Sequence, residues 1–169
     1  MRYLDDRKSQ RLKFHDYSTP KSYCVTIKIL SIELPLGIIY NDQAHLNCIG
    51  KIIDKCWNDI PNHYKECKLD EYIIMPDHIH GIIRINSERR VGNRHACSNI
   101  MLSRQYQILP IAIGGFKSAA SRLIHQMGYL EFKWQKSYYD RIIRVKELKS
   151  KIEYIRMNPI RANNKNINE

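Results

Sequence analysis

Residues 69–85 read LDEYIIMPDHIHGIIRI, and this stretch decides the fold. Two runs rich in β-branched side chains, LDEYIIM (69–75) and HIHGIIRI (78–85), flank the pair Pro76-Asp77. A short turn between two such runs predicts a β-hairpin. In the second run, alternation sends Ile79, Gly81, Ile83 and Ile85 to one side and His78 and His80 to the other. The apolar set needs a core, so both imidazoles are expected on the open face of the sheet. Two imidazoles side by side on a rigid strand make half of a divalent-metal site. The same HxH spacing also occurs as an incidental pair.

Working outward, Ser22–Leu30 (SYCVTIKIL) alternates and predicts a strand. Asp42 is placed to cap a helix whose apolar positions Leu46, Ile49, Ile53, Cys56, Trp57 and Ile60 recur at helical spacing, with Pro61 as its stop. Residues 86–107 read as a long basic loop. A second helix is predicted over Ile111–Met127, with Gly128 after its end. A strand follows at 138–145 (YYDRIIRV), and a last helix runs from Lys146 to Asn158, where Pro159 stops it. Residues 1–21 read as an arm and 162–169 as a frayed polar tail, leaving one domain over 22–161. The order is that of an α+β protein: a ferredoxin-like or RRM-like antiparallel sheet with helices packed on one face.

The last helix carries a second chemical signal. Leu148, Ile152 and Ile155 form its apolar stripe, whereas Tyr154 and Asn158, four residues apart, share another face. Glu147 and Lys151 flank that face. A tyrosine there, one turn from an amide able to ligate metal, suits a nucleophile; it equally suits a ring packed beside the sheet. Basic and aromatic side chains cluster nearby: Arg89, Arg90, Arg94 and His95 in the loop, Lys117 and Arg122 on the middle helix. Trp134, Gln135, Lys136, Tyr138, Tyr139, Arg141 and Arg144 precede the last helix. Cations that track phosphates, interleaved with rings that stack on bases, serve single-strand binding.

Composition agrees with a polyanionic partner. The 169 residues hold 28 Lys and Arg against 17 Asp and Glu, a formal charge of +11. Ribosomal and membrane-surface proteins share such a charge. The five cysteines include no CxxC pair, which argues against a disulfide framework and for a reducing compartment. The opening MRYLDDRKSQRLKF lacks the apolar segment of a signal peptide, and no apolar run approaches the ~20 residues that span a bilayer. A cytoplasmic location with no membrane association is expected.

The order and wording of these segments resemble a known family. IIMPDHIHGIIRI, RHA, GGFKSAASRLI, KWQKSYYDRIIR and EYIRMNPIRA together resemble the single-tyrosine transposases of the HUH endonuclease superfamily. The nearest group is the transposases associated with repetitive extragenic palindromes (REP). The resemblance runs from HDYSTPKSYCVTI to Arg161. It implies His78 and His80 as metal ligands, Asn158 as a third polar ligand and Tyr154 as catalytic nucleophile, with Mg²⁺ or Mn²⁺ as cofactor. It further implies a single-stranded or hairpin DNA partner, contacted by Arg94, His95, Lys117, Arg122, Lys136, Arg141 and Arg144. Family members act as homodimers, one subunit's tyrosine serving the other's histidines, or as monomers; the sequence leaves both open. The segment 28–37 (KILSIELPLG) departs from the family's polar pattern.

Rival readings meet specific obstacles. A histidine-triad hydrolase needs a third histidine where Ile82 stands, and a two-histidine phosphoesterase needs a pair of separated His-x-Thr/Ser motifs. Replication initiators and relaxases share the chemistry but are usually larger. A binding module without nicking activity would keep the fold and the basic surface.

Overall fold

The computed structural model describes residues 20–31, 33–86 and 107–166. Most of the N-terminal arm, the loop residues Arg89, Arg90, Arg94 and His95, and the last three residues lie outside that range.

The predicted hairpin is present. Strands β4 (Cys67–Ile74) and β5 (His78–Ile85) pair antiparallel, and the Met75 N–H donates to the His78 carbonyl at 2.8 Å to close the turn. Strand β1 (Lys21–Lys28) lies against β5 and strand β6 (Tyr139–Ile143) against β1, both antiparallel. The resulting sheet has the order β4-β5-β1-β6. Helices α1 (Cys48–Asn58) and α3 (Ile108–Gln126) supply the crossovers of a β-α-β-β-α-β ferredoxin-like unit.

Alternation along β1 and β5 builds the main core. Tyr23, Val25, Ile27, Ile79, Ile83 and Ile85 are buried together with Ile53 and Trp57 of α1 and Leu109, Ala112, Ile113 and Phe116 of α3. Gly81 lies under the Trp57 ring, and a Cβ there would stand 2.7 Å from Trp57 Cζ2. Helices α1 and α3 share this face, as expected. The opposite face has a smaller core of Cys24, Ile82, Ile143 and Ile155, with Ile73, Leu148 and Ile152 packed against it. Helix α4 (Leu148–Arg156) therefore crosses the histidine side of the sheet. Its last residue, Arg156, is tied to Glu71 of β4 at 2.6 Å.

Three expectations are corrected. Asp42 does not cap a helix: with Asn41 it forms the left-handed turn (φ 48° and 58°) of a hairpin between β2 (Gly37–Tyr40) and β3 (Gln43–Leu46). Asn and Asp tolerate that conformation, and four-residue strands are too short to show a period. The cap is Asn47, whose Oδ1 accepts the Gly50 N–H at 2.9 Å. Neither Pro61 nor Pro159 ends its helical region. Each stands in the first turn of a further helix, α2 (Ile60–His63) and α5 (Asn158–Asn166), where the missing N–H costs nothing. The tail accordingly stays helical to residue 166, and the Asn163 amide donates to Asp42 at 2.9 Å.

The apolar 28–37 segment serves the core. Ile29 forms an isolated bridge with Trp134, and Leu36 is wholly buried. In α3 the Gly114-Gly115 pair is interior to the helix, and Gly115 makes room for the Tyr64 hydroxyl.

Candidate active site

Strand register builds the site. His80 sits opposite Thr26, and His78 opposite Lys28, on the face that α4 only partly covers. His80 Nδ1 lies 3.1 Å from Thr26 Oγ1 and Nε2 lies 3.2 Å from Cys24 Sγ. Burial, aided by His78 and Lys151, lowers the His80 pKa to about 4, which keeps this imidazole neutral. His78 Nδ1 meets Asp77 Oδ1 at 2.6 Å, and this hydrogen bond holds the exposed Asp77 carboxyl below its usual range, outweighing its partial desolvation. The two imidazole centroids are 6.4 Å apart, nearly edge to face.

Helix α4 brings Tyr154 to the same place. Its ring centroid lies 5.7 Å from that of His80, and the residue remains 39% exposed. Arg161 on α5 reaches back to within 4.6 Å of the Tyr154 ring, and Lys151 Nζ lies 5.5 Å from it. One chain thus brings histidines, tyrosine and two cations together.

The chain's own donors fit a hard divalent cation in part. A carboxylate on one ring nitrogen of a histidine is the usual partner of a metal-binding imidazole, and Asp77 supplies it for His78. Asn158 Nδ2 is buried with no hydrogen-bond partner among the described residues, which leaves it open to a partner outside them. Turning the amide by half a rotation presents Oδ1 at the same position. Among the described residues no three His, Cys, Asp or Glu side chains gather as a metal cage. Water and phosphate oxygens would have to complete the shell, as they do around Mg²⁺.

The chain is 31% identical over 162 residues to an uncharacterised protein of Haemophilus influenzae, a match that covers 93% of this chain and 90% of that one. No protein-family model matches it. Among solved structures, a REP-associated tyrosine transposase bound to a REP hairpin superposes with a TM-score of 0.54, covering 90% of this chain and 74% of that one at 12% identity. The chain belongs to the family of the Haemophilus protein and has the fold of a REP-associated tyrosine transposase.

Within this transposase fold the remaining predicted contacts separate. Arg141 lies on the histidine face opposite Cys24, exposed and 3.3 Å from Glu147. Arg144 is exposed just beyond β6, its N–H donating to Glu147, and Lys136 is exposed just before it. Lys117 instead donates to the carbonyls of Gln135 and Ser137 at 2.8 and 3.0 Å, so its ammonium serves the segment leading into β6. Arg122 is exposed on α3, on the far side of the sheet from the histidines. Arg94 and His95 lie outside the described residues. Tyr138 is 1% exposed in the main core.

Sequence reasoning passed over Cys24, Thr26 and Lys28 on the histidine face and Arg161 beside the tyrosine. Alternation in β1 groups the first three. Only the pairing with β5 shows which face they share.

Proposed function

We propose that this protein nicks and rejoins single-stranded DNA through Tyr154, as a transposase of short hairpin elements using Mg²⁺ or Mn²⁺. The observation that carries this reading is the Tyr154 ring 5.7 Å from His80 in the same chain, with Arg161 and Lys151 beside it. The fold supports it, and the relative with that fold is a transposase bound to a REP hairpin.

A phosphodiester resists nucleophiles because its negative charge repels them. A divalent cation, when bound, withdraws that charge and steadies the departing 3′ oxygen. His78 and His80 would hold it, with the Asn158 amide as third donor. The Tyr154 oxygen attacks phosphorus in line. Its bond to phosphorus forms as the bond to the 3′ oxygen breaks, leaving a 5′-phosphotyrosine and a 3′-OH. The phenol proton passes through water to the departing oxygen. Attack by another 3′-OH reverses the step and rejoins strands without ATP. Lys151 and Arg161 set positive charge against the Tyr154 ring, which favours the phenolate, and Asp77 orients His78.

One observation favours a second reading. Both ring nitrogens of His80 already face protein groups, Cys24 and Thr26, as they would in a DNA-binding module that had lost its metal. Incubation with Mn²⁺ and labelled single-stranded DNA carrying palindromes from around the protein's own gene separates the two. The transposase reading expects a denaturant-resistant protein–DNA adduct that vanishes in Tyr154→Phe. Binding without an adduct across many hairpins would establish the module instead.

A further inference from the structure

The part of the histidine face left open by α4 carries a large aromatic side chain that the chemistry above does not use. Tyr139, the first residue of β6, is 47% exposed. Its direction follows from the register. Tyr139 pairs with Thr26 and Thr26 with His80, so these three side chains form one row across β6, β1 and β5 and point to the same side. Lys28 and His78 form the adjacent row on one side, and Arg141, Cys24 and Ile82 the row on the other. Helix α4 buries Cys24, Ile82 and Ile143 but leaves Tyr139, Lys28 and Arg141 exposed. Two strand spacings, about 10 Å, separate Tyr139 from His80. A nucleotide laid across β1 can cover that span with its phosphate at the histidines and its base over the ring.

We propose that Tyr139 is the stacking platform for the unpaired nucleotide next to the phosphate held at His78 and His80. Lys28 and Arg141 take the neighbouring backbone phosphates. This deepens, and rests on, the single-stranded DNA reading of the same face. A flat ring accepts any base, so the platform sets where the strand lies without selecting its sequence. The Arg141–Glu147 pair is an exposed ion pair of small net worth, and a phosphate can replace the carboxylate. An exposed tyrosine on an edge strand also serves strand formation. Tyr139→Thr separates the two roles, because it keeps β propensity and removes the ring.

The test uses the full chain and a fluorescent oligothymidylate of about 12 nucleotides, within the range of single-strand site sizes. Affinity is read by anisotropy over a series of salt concentrations. Tyr139→Thr and Tyr139→Leu are expected to weaken binding about ten-fold with an unchanged salt slope, because stacking releases no counterions. Tyr139→Phe is expected to stay within about two-fold of the wild type. Arg141→Ala is expected instead to reduce the salt slope by roughly 0.7, the increment for one phosphate contact. A 2-aminopurine walked along the oligonucleotide should be quenched at one position by the wild type and Tyr139→Phe, and not by Tyr139→Thr. Wild-type affinity or persistent quenching in Tyr139→Thr overturns the proposal, as does a wild type that fails to bind. A missing adduct with binding intact would instead count against Tyr154 as nucleophile and leave Tyr139 as the platform.

Discussion

The Arg161 guanidinium stands 4.6 Å from the centre of the Tyr154 ring, although a turn residue, Met157, interrupts the helical run between them. Helix α5 is held against the β2–β3 hairpin by the Asn163–Asp42 hydrogen bond, so the cation is placed by the fold and not by local helix geometry alone. A cation over an aromatic face contributes about 0.5–2 kcal/mol. Arg161→Ala is therefore expected to slow single-turnover adduct formation about ten-fold, with DNA affinity changing much less. Arg161→Lys should recover most of the rate. An unchanged rate in Arg161→Ala would remove this residue from the reaction.

Chelation gives a second outcome. EDTA should abolish nicking while leaving the thermal midpoint nearly unchanged, because two apolar cores hold the sheet without help from an ion. Asp77→Asn weakens the partner that orients His78. It should raise the Mn²⁺ concentration needed for half-maximal activity by about 10–100-fold, the usual effect of losing such a support. A metal titration of nicking reads this directly, and an unshifted curve would count against His78 as a ligand.

Gly81 links stability to the site, since it lies between His80 and Ile82 with the Trp57 ring against its α-carbon. Gly81→Ala forces Trp57 and the Tyr72 Cβ, 2.7 and 2.9 Å from the added carbon, to give way. Overpacking of this kind costs about 1–3 kcal/mol. Each kcal/mol lowers the melting midpoint by roughly 2–4 °C in a chain of this size. A calorimetric midpoint equal to that of the wild type would show that the core yields more easily.

Asn47, and not Asp42, should govern α1. Its side chain accepts from Gly50 N–H and donates to the Pro35 carbonyl at 2.7 Å, tying the helix start to the hairpin segment. Asn47→Ala should cost about 1 kcal/mol in denaturant unfolding, and Asn47→Ser should restore part of it. No difference between the two variants would argue against a cap at this position.

The cysteines should differ in reactivity. Burial, with help from Glu66, pushes the Cys67 thiol up to about 12, whereas Cys48 is exposed at the start of α1. At pH 8 a thiol reagent should label Cys48 quickly and reach Cys67 only after unfolding. The sign of the linked effect is fixed. A thiol held protonated in the fold favours the folded state fully below its ordinary value of 9.0, and that contribution is lost as pH rises toward 12. Chemical denaturation at rising pH should show this decline, and a Cys67→Ala variant should flatten it.

Alternation in HIHGIIRI and the turn at Pro76-Asp77 determined, from sequence alone, the central hairpin and the side of the sheet that carries the histidines. This works because a strand's period of two leaves the apolar set no other place than the core. The apolar stripe of α4 likewise set Tyr154 apart from Leu148, Ile152 and Ile155. Tertiary structure decided what depends on partners distant in the chain. Four-residue strands carry no readable period, so the β2–β3 hairpin and its claim on Asp42 emerge only with the packing of Leu36 and Asn163. Lys117 looks like any basic helix residue until two carbonyls, 18 and 20 residues away, take its ammonium. Strand pairing set His80 beside Thr26 and in one row with Tyr139, and α5 set Arg161 over Tyr154, because register and helix docking follow from the whole chain's burial and not from any local run of residues.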